Sequence, residues 1–182
     1  MIFVTVGTEL PFNRLVLQVN EWAQKAGRTD VFAQIGEGAI RPSHVKWRYF
    51  LEPQEFQRCF AEAHVIIAHA GMGTILTALN AGKPILVLPR RLHLGEHRSD
   101  HQLATAQHLR DMGQIHVAFN DEELRAALDA IDELSGCEKI APYASQELVG
   151  TVRAFIDGVA QQRTTRRGAR HFFDLRTFAK GW

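Results

Sequence analysis

Four short stretches of this chain are largely apolar from end to end instead of alternating: IFVTV (2–6), VFAQI (31–35), HVIIAHA (64–70) and PILVLP (84–89). A strand with one wet face alternates apolar and polar residues. A strand apolar on both faces has to be covered on both, as in a parallel sheet flanked by helices. Helical patterns lie between these runs. After Pro11, Leu15, Val16, Val19, Trp22 and Ala23 recur at helical spacing until Gly27. Pro53 sits where a first helical residue belongs, with Phe56, Phe60 and Ala63 as the buried stripe. KWRYFL (46–51) reads as a shorter, more polar strand and IHVAF (115–119) as a sixth; helices are expected over 99–112 and 120–134, the latter opened by an Asn120 cap and an acidic first turn. The order predicts an α/β fold, a doubly wound parallel sheet of about six strands with flanking helices. Right-handed crossovers then bring every strand's carboxyl end to one edge.

Length and composition narrow the class. At 182 residues the chain has room for one ordinary domain and a tail, and 46% hydrophobic with 23% charged residues suits a soluble globular protein. No stretch approaches the roughly 18 to 20 apolar residues of a membrane span. The opening MIFVTVGTELPF lacks a basic segment and meets a glycine at Gly7, so it reads as a first strand and not as a signal peptide. Cys59 and Cys137 form no ligand pattern, as expected of incidental thiols in a cytosolic chain. Pro142 introduces a last helix, roughly 143–162, with Leu148, Val149, Val152, Phe155, Ile156 and Val159 on one broad face that either packs back on the sheet or docks a partner. The expected organisation is a domain over 1–162 and a basic, aromatic tail over 163–182. In that tail Arg163, Arg166, Arg167, Arg170, Arg176 and Lys180 stand against Asp174 alone, giving +5; the overall charge of +1 then leaves −4 for residues 1–162. Such a tail is either merely solvated or meets an acidic surface, whether lipid headgroups, nucleic acid or another subunit.

The chemistry concentrates where the fourth strand ends. In IIAHAGMGTILTAL (66–79) an apolar run stops at His69 and two glycines precede a helix. Ligands of doubly wound sheets bind beyond the strands' carboxyl ends, which places His69 through Thr74 there. Gly71 and Gly73 permit a tight turn and a close backbone approach. The following helix aims unpaired N–H groups and its positive dipole end at that space, which is the physics of a phosphate or diphosphate site. Thr74 adds a hydroxyl, and His69 a donor that becomes cationic if protonated. The competing reading is a tight turn with a hydrogen-bonded histidine. A dinucleotide fingerprint is absent, because GMGTIL lacks the third glycine and strand two ends in Gln34-Ile35-Gly36; no phosphate-binding GxxxxGK[ST] loop occurs either.

A second stretch, PRRLHLGEHRSDHQLATA (89–106), carries Arg90, Arg91, Glu96, His97, Asp100, His101 and Gln102 to the same edge. Arginines there suit phosphate oxygens, and Asp and Gln suit sugar hydroxyls. His93, His97 and His101 recur every four residues and would suit a metal on a continuous helix, but Pro89 and Gly95 argue that the first half is loop.

Together these stretches resemble the C-terminal, donor-binding half of GT-B glycosyltransferases of family 28. Within that group the chain is similar to stand-alone subunits, namely the small catalytic subunit of the eukaryotic dolichol-linked UDP-GlcNAc transferase and bacterial exopolysaccharide transferase subunits. The resemblance runs from IFVTVGTELPFNRLV through IIAHAGMGTILTALNAGKPILVLPRR to GEHRSDHQLATA, roughly residues 1–135. It implies a Rossmann-like fold and inverting transfer from a UDP-sugar to a lipid-diphosphate-linked glycan acceptor, with no metal or other cofactor. By position, Gly7, Thr8, His69, Gly71, Gly73 and Thr74 would hold the donor diphosphate, with Gly7 and Thr8 near the reacting centre. Glu96, Asp100, His101 and Gln102 would meet the donor sugar, and Phe50 and Leu51 the uracil. Relatives often carry a glutamate for the ribose where this chain has Thr77. The acceptor domain of a GT-B enzyme is not among these residues, so the resemblance implies a membrane-associated, acceptor-binding partner subunit, which would also supply the general base. It implies no nucleic-acid partner, a cytoplasmic location and recruitment to the inner face of the membrane through the partner or the tail. The rival is a non-catalytic nucleotide-sugar-binding subunit that regulates a partner transferase.

Overall fold

In the computed structural model, residues 1–136, 139 and 143–168 are described, the last nine of them by backbone alone. The chain divides into two units, 1–140 and 141–182. The first holds six strands: β1 (Ile2–Thr5), β2 (Val31–Gln34), β3 (Lys46–Arg48), β4 (Val65–His69), β5 (Ile85–Leu88) and β6 (His116–Val117). Between them run α1 (Asn13–Lys25), α2 (Pro53–Glu62), α3 (Met72–Ala81), α4 (His101–Asp111) and α5 (Asp121–Asp129). The strands form one sheet in the order β3-β2-β1-β4-β5-β6, and every pairing is parallel. The expected doubly wound α/β architecture is therefore present.

The runs that lack alternation are buried on both faces, as their sequence requires. Ile2 and Val4 face one core with Leu15, Val16 and Val19 of α1 and Leu124 and Leu128 of α5. Phe3 faces the other with Phe60 of α2, Ile75 and Leu79 of α3 and Ala106 of α4. Fully burying each such side chain contributes about 1.5–3 kcal/mol, so these two cores fix the sheet's register. The strand order reverses between β1 and β4, which pair directly. Their carboxyl ends diverge into different loops, and the gap between those loops is the crevice of such sheets.

Element ends differ from the sequence reading in several places. The edge strand β3 ends at Arg48, so Phe50 and Leu51 belong to the loop that enters α2. Helix α5 stops at Asp129, and a single 3-10 turn (Ile131–Glu133) carries Ile131 into the core. The Asn120 cap is present: its side-chain oxygen accepts from the Glu123 amide at 2.8 Å. In the second unit, helix α6 runs from Gln146 to Gly168, so the boundary expected after residue 162 lies inside it. Its Leu148, Val152, Phe155 and Ile156 are exposed. Residues 169–182 of the expected tail lie outside the described residues. No helix among the described residues is long and apolar enough to cross a membrane.

Candidate functional site

A cavity of about 350 Å³ opens at the carboxyl edge of the sheet, where the β1 and β4 loops part. Its lining includes Gly7, Thr8, Phe50, Leu51, His69, Gly71, Gly73, Thr74, Thr77 and Gln102, ten of the thirteen residues that the resemblance assigns to the donor. Gly7 thus meets His69, 62 positions later, and Gln102, 95 positions later, because the strand ends share one edge.

Helix α3 supplies the floor's polarity. Gly71 is its N-cap and no side chain caps it; the first intrahelical bond of the turn is Ile75 N–H to the Gly71 carbonyl, at 3.1 Å. The amides of Met72, Gly73 and Thr74 are left without a helical acceptor, and the dipole adds about half a positive charge at this end. A side chain added at Gly73 would meet nothing within 4 Å. That position is bare on the cavity side, so a ligand's oxygens have direct access to the helix end.

The glycines beside His69 have a different reason. A Cβ at Gly71 would stand 2.2 Å from His69 Nε2, and one at Gly7 would stand 2.8 Å from His69 Cε1. The two loops pinch a single imidazole between them, and only glycine leaves it room. Gly7 also takes φ +79°, in the region that penalises any side chain. We therefore expect Gly71→Ala to destabilise the fold by about 1–3 kcal/mol, the usual range for overpacking. Equilibrium urea unfolding should show a lower midpoint at an unchanged slope; an unchanged midpoint would mean the ring is not held there.

Burial pushes the His69 pKa down to about 4, helped by the positive charge of Arg90 and by His97, and the nearby Thr5 carbonyl only partly opposes this. At neutral pH the ring is uncharged and offers one N–H donor and one acceptor. Its Nδ1, like that of His97 on the same wall, is buried with no hydrogen-bond partner among the described residues.

Arg90, expected to meet phosphate, is 2% exposed and otherwise occupied. Its guanidinium donates to the carbonyls of Val6 (2.9 Å), Leu10 (2.6 Å), Pro11 (2.9 Å) and Glu96 (3.3 Å) and lies over the Phe12 ring, 4.6 Å from its centre. Burial lowers its pKa, against the raising influence of Glu96 and Glu9, yet a guanidinium stays charged. Arg91 turns away from the cavity, donating to the Phe119 carbonyl at 2.6 Å.

Of the four residues expected at a donor sugar, one lines the cavity. Gln102 is 4% exposed, and its Oε1 accepts from the Arg90 amide at 3.2 Å. Glu96 instead grips Arg14 (2.6 and 2.8 Å) and the Arg91 amide (2.9 Å). Asp100 accepts from the Leu92 amide at 2.9 Å, and His101 Nδ1 pairs with Ser99 Oγ at 2.7 Å. The metal alternative loses its helix: residues 92–94 are a lone 3-10 turn closed by Gly95 at φ +69°, and α4 begins only at His101. Among the described residues no three His, Cys, Asp or Glu side chains cluster to hold an ion. Thr77, expected near a ribose, spends its hydroxyl on the Gly73 carbonyl at 2.7 Å.

His97, expected at this edge, lines the cavity too, and so do Thr5, Glu9, Gln34 and Phe56, which were not singled out. Thr5 and Gln34 were legible only as strand residues. Yet their register pairing lets Gln34 accept from Thr5 Oγ1 (2.7 Å) and donate to the Gly7 carbonyl (2.9 Å), which pins the first glycine loop.

Residues 1–144 match the glycosyltransferase family 28 C-terminal domain. The chain belongs to that family. Over 123 residues it is 30% identical to the UDP-N-acetylglucosamine transferase subunit ALG13 of Mus musculus, a match that takes in 62% of this chain and 10% of the mouse protein. The chain thus spans about a tenth of that relative's length. Among the solved structures that share the fold are two. One is the solution structure of ALG13, with a TM-score of 0.54, 19% identity, and 78% of this chain and 90% of that one covered. The other is MurG of Acinetobacter baumannii, with a TM-score of 0.53, 20% identity, and 71% of this chain and 40% of that one covered.

Proposed function

We propose that this family 28 chain is the donor-binding half of a UDP-sugar glycosyltransferase. The observation that carries the reading is the uncapped N-terminus of α3, bare at Gly73 and open to the cavity at the sheet's switch point. Family membership and the mouse relative's description as a UDP-N-acetylglucosamine transferase subunit support the choice of a UDP-sugar over other phosphorylated ligands.

In this reading the amides of Met72, Gly73 and Thr74 receive the diphosphate, joined by the Thr74 hydroxyl and an uncharged His69 N–H. Phe50 and Leu51 border the uracil, and Gln102 is the contact to the donor sugar. The acceptor hydroxyl attacks the anomeric carbon from the face opposite UDP, a new glycosidic bond forms, the bond to the diphosphate oxygen breaks with inversion, and UDP leaves. Negative charge grows on the departing diphosphate, where preorganised amides and a helix dipole lower the barrier; these residues supply that stabilisation without a metal. The hydroxyl proton passes to a base on a second, membrane-associated subunit that also seats a polyprenyl-diphosphate-linked acceptor. That partner, exopolysaccharide or envelope glycan synthesis as the setting, and recruitment to the inner face of the cytoplasmic membrane rest on the family resemblance and on the mouse relative being described as a subunit.

Nucleotide selectivity tests the donor reading. UDP at about 100 times its dissociation constant should add roughly 2.7 kcal/mol of stability, readable as a rise of several degrees in Tm. ADP and NAD at the same concentration should add much less. A shift with ADP or NAD alone would sink the UDP assignment.

A further inference from the structure

We propose that Arg90 is a positioning residue for the donor site, acting on a bound diphosphate through space and through the Gly7–Leu10 loop without touching it. The inference rests on the donor reading above.

The charges around Arg90 are unevenly matched. Arg90 is almost fully buried, and among the described residues no carboxylate forms an ion pair with it: Glu96, the acid nearest in sequence, gives its side chain to Arg14. What touches the guanidinium is neutral, four backbone carbonyls and the face of Phe12, while the Glu96 and Glu9 carboxylates act on it only from beyond ion-pair distance. A buried cation with dipoles in contact and no paired carboxylate is costly unless a closer anion completes it. The residue lines the cavity that meets the α3 N-terminus, and its charge is felt at His69, the imidazole at the centre of that site. His69 is itself neutral near pH 7 and brings no net charge. Arg90 is thus the fixed positive charge of the site, and a diphosphate in the cavity is an anion that would complement it where no carboxylate is paired with it.

The fork geometry has a second use. Carbonyls of Val6, Leu10 and Pro11 all converge on the two terminal nitrogens. One side chain from the end of β5 therefore sets the path of the loop after β1, including Gly7 above the His69 ring and Thr8 and Glu9 on the cavity wall. Lysine retains the charge but cannot span three carbonyls in a plane, so the two roles are separable by substitution.

The test uses the full chain, wild type, Arg90→Gln and Arg90→Lys, with UDP and uridine as calorimetric probes and the His69 ring titrated by NMR. For Arg90→Gln we expect the preference for UDP over uridine to fall about ten- to a hundredfold, and the His69 pKa to rise because a repelling charge has gone. For Arg90→Lys the preference and the His69 pKa should stay near wild type, while affinity for both ligands falls together as the loop loosens. Equal losses for UDP and uridine in Arg90→Gln, or a His69 titration that does not move, would overturn the assignment and leave a purely structural arginine. Should Arg90→Gln fail to fold, Arg90→Lys decides alone, since loss of the UDP preference with charge retained contradicts the proposal. Failure of the wild-type chain to bind UDP would instead sink the donor reading itself.

Discussion

Gly73→Ala should make the protein more stable and nearly abolish donor binding. Nothing lies within 4 Å of the new methyl group, and residue 73 is inside helix α3. Replacing a helical glycine by alanine in open space stabilises by about 0.5–1 kcal/mol through the unfolded chain's lost freedom, or about 1–4 °C in Tm. The same methyl group would occupy the ground where diphosphate oxygens approach the free amides. Losing one or two charge-assisted hydrogen bonds of about 1.5–3 kcal/mol each corresponds to roughly a hundredfold in affinity. Calorimetry with UDP beside a thermal melt reads both effects. A variant that melts higher and still binds UDP at wild-type strength would remove the diphosphate from the helix end. The opposite signs matter, because a merely damaged fold cannot produce them.

The second large effect is acid sensitivity through His69. In the unfolded chain an imidazole titrates near pH 6.5, and in the folded protein this one titrates at about 4. Between those values the unfolded state holds the extra proton, so acid favours unfolding. His69's share of stability is complete above about pH 6.5 and is lost progressively as the pH falls towards 4, reaching about 3 kcal/mol. Urea midpoints measured from pH 7.5 down to 4.5 should fall more steeply for wild type than for His69→Gln, which has no ring to charge. Parallel slopes would mean that the ring is not kept neutral by burial.

How much of this the sequence displays depends on whether the signal is local. The sheet was legible because runs such as VIIA (65–68) lack alternation, and that property depends only on neighbouring residues. The His69–Thr74 turn was legible for the same reason: strand, glycines and helix start are contiguous, and chain topology carries them to the switch point. The roles in residues 89–102 were not. Arg90, His97 and Gln102 line the cavity, but side-chain partners in this stretch come from far away. Glu96 is claimed by Arg14, 82 residues earlier, and Arg90 by carbonyls about 80 residues earlier. No spacing rule contains those encounters. The glycine at 71 shows a subtler gap: sequence reasoning assigns it to ligand approach, whereas its bare Cα first accommodates the His69 ring.

Backbone amide NMR of the full chain titrated with UDP tests the central claim most directly, because it reports where the ligand sits. The expected result is saturable shifts concentrated at Gly7, Gly71, Met72, Gly73 and Thr74 and at the Gln102 side chain, with ADP much weaker. Shifts confined to another face, such as the one around Trp22 and Lys25, or none at millimolar UDP, would contradict the account.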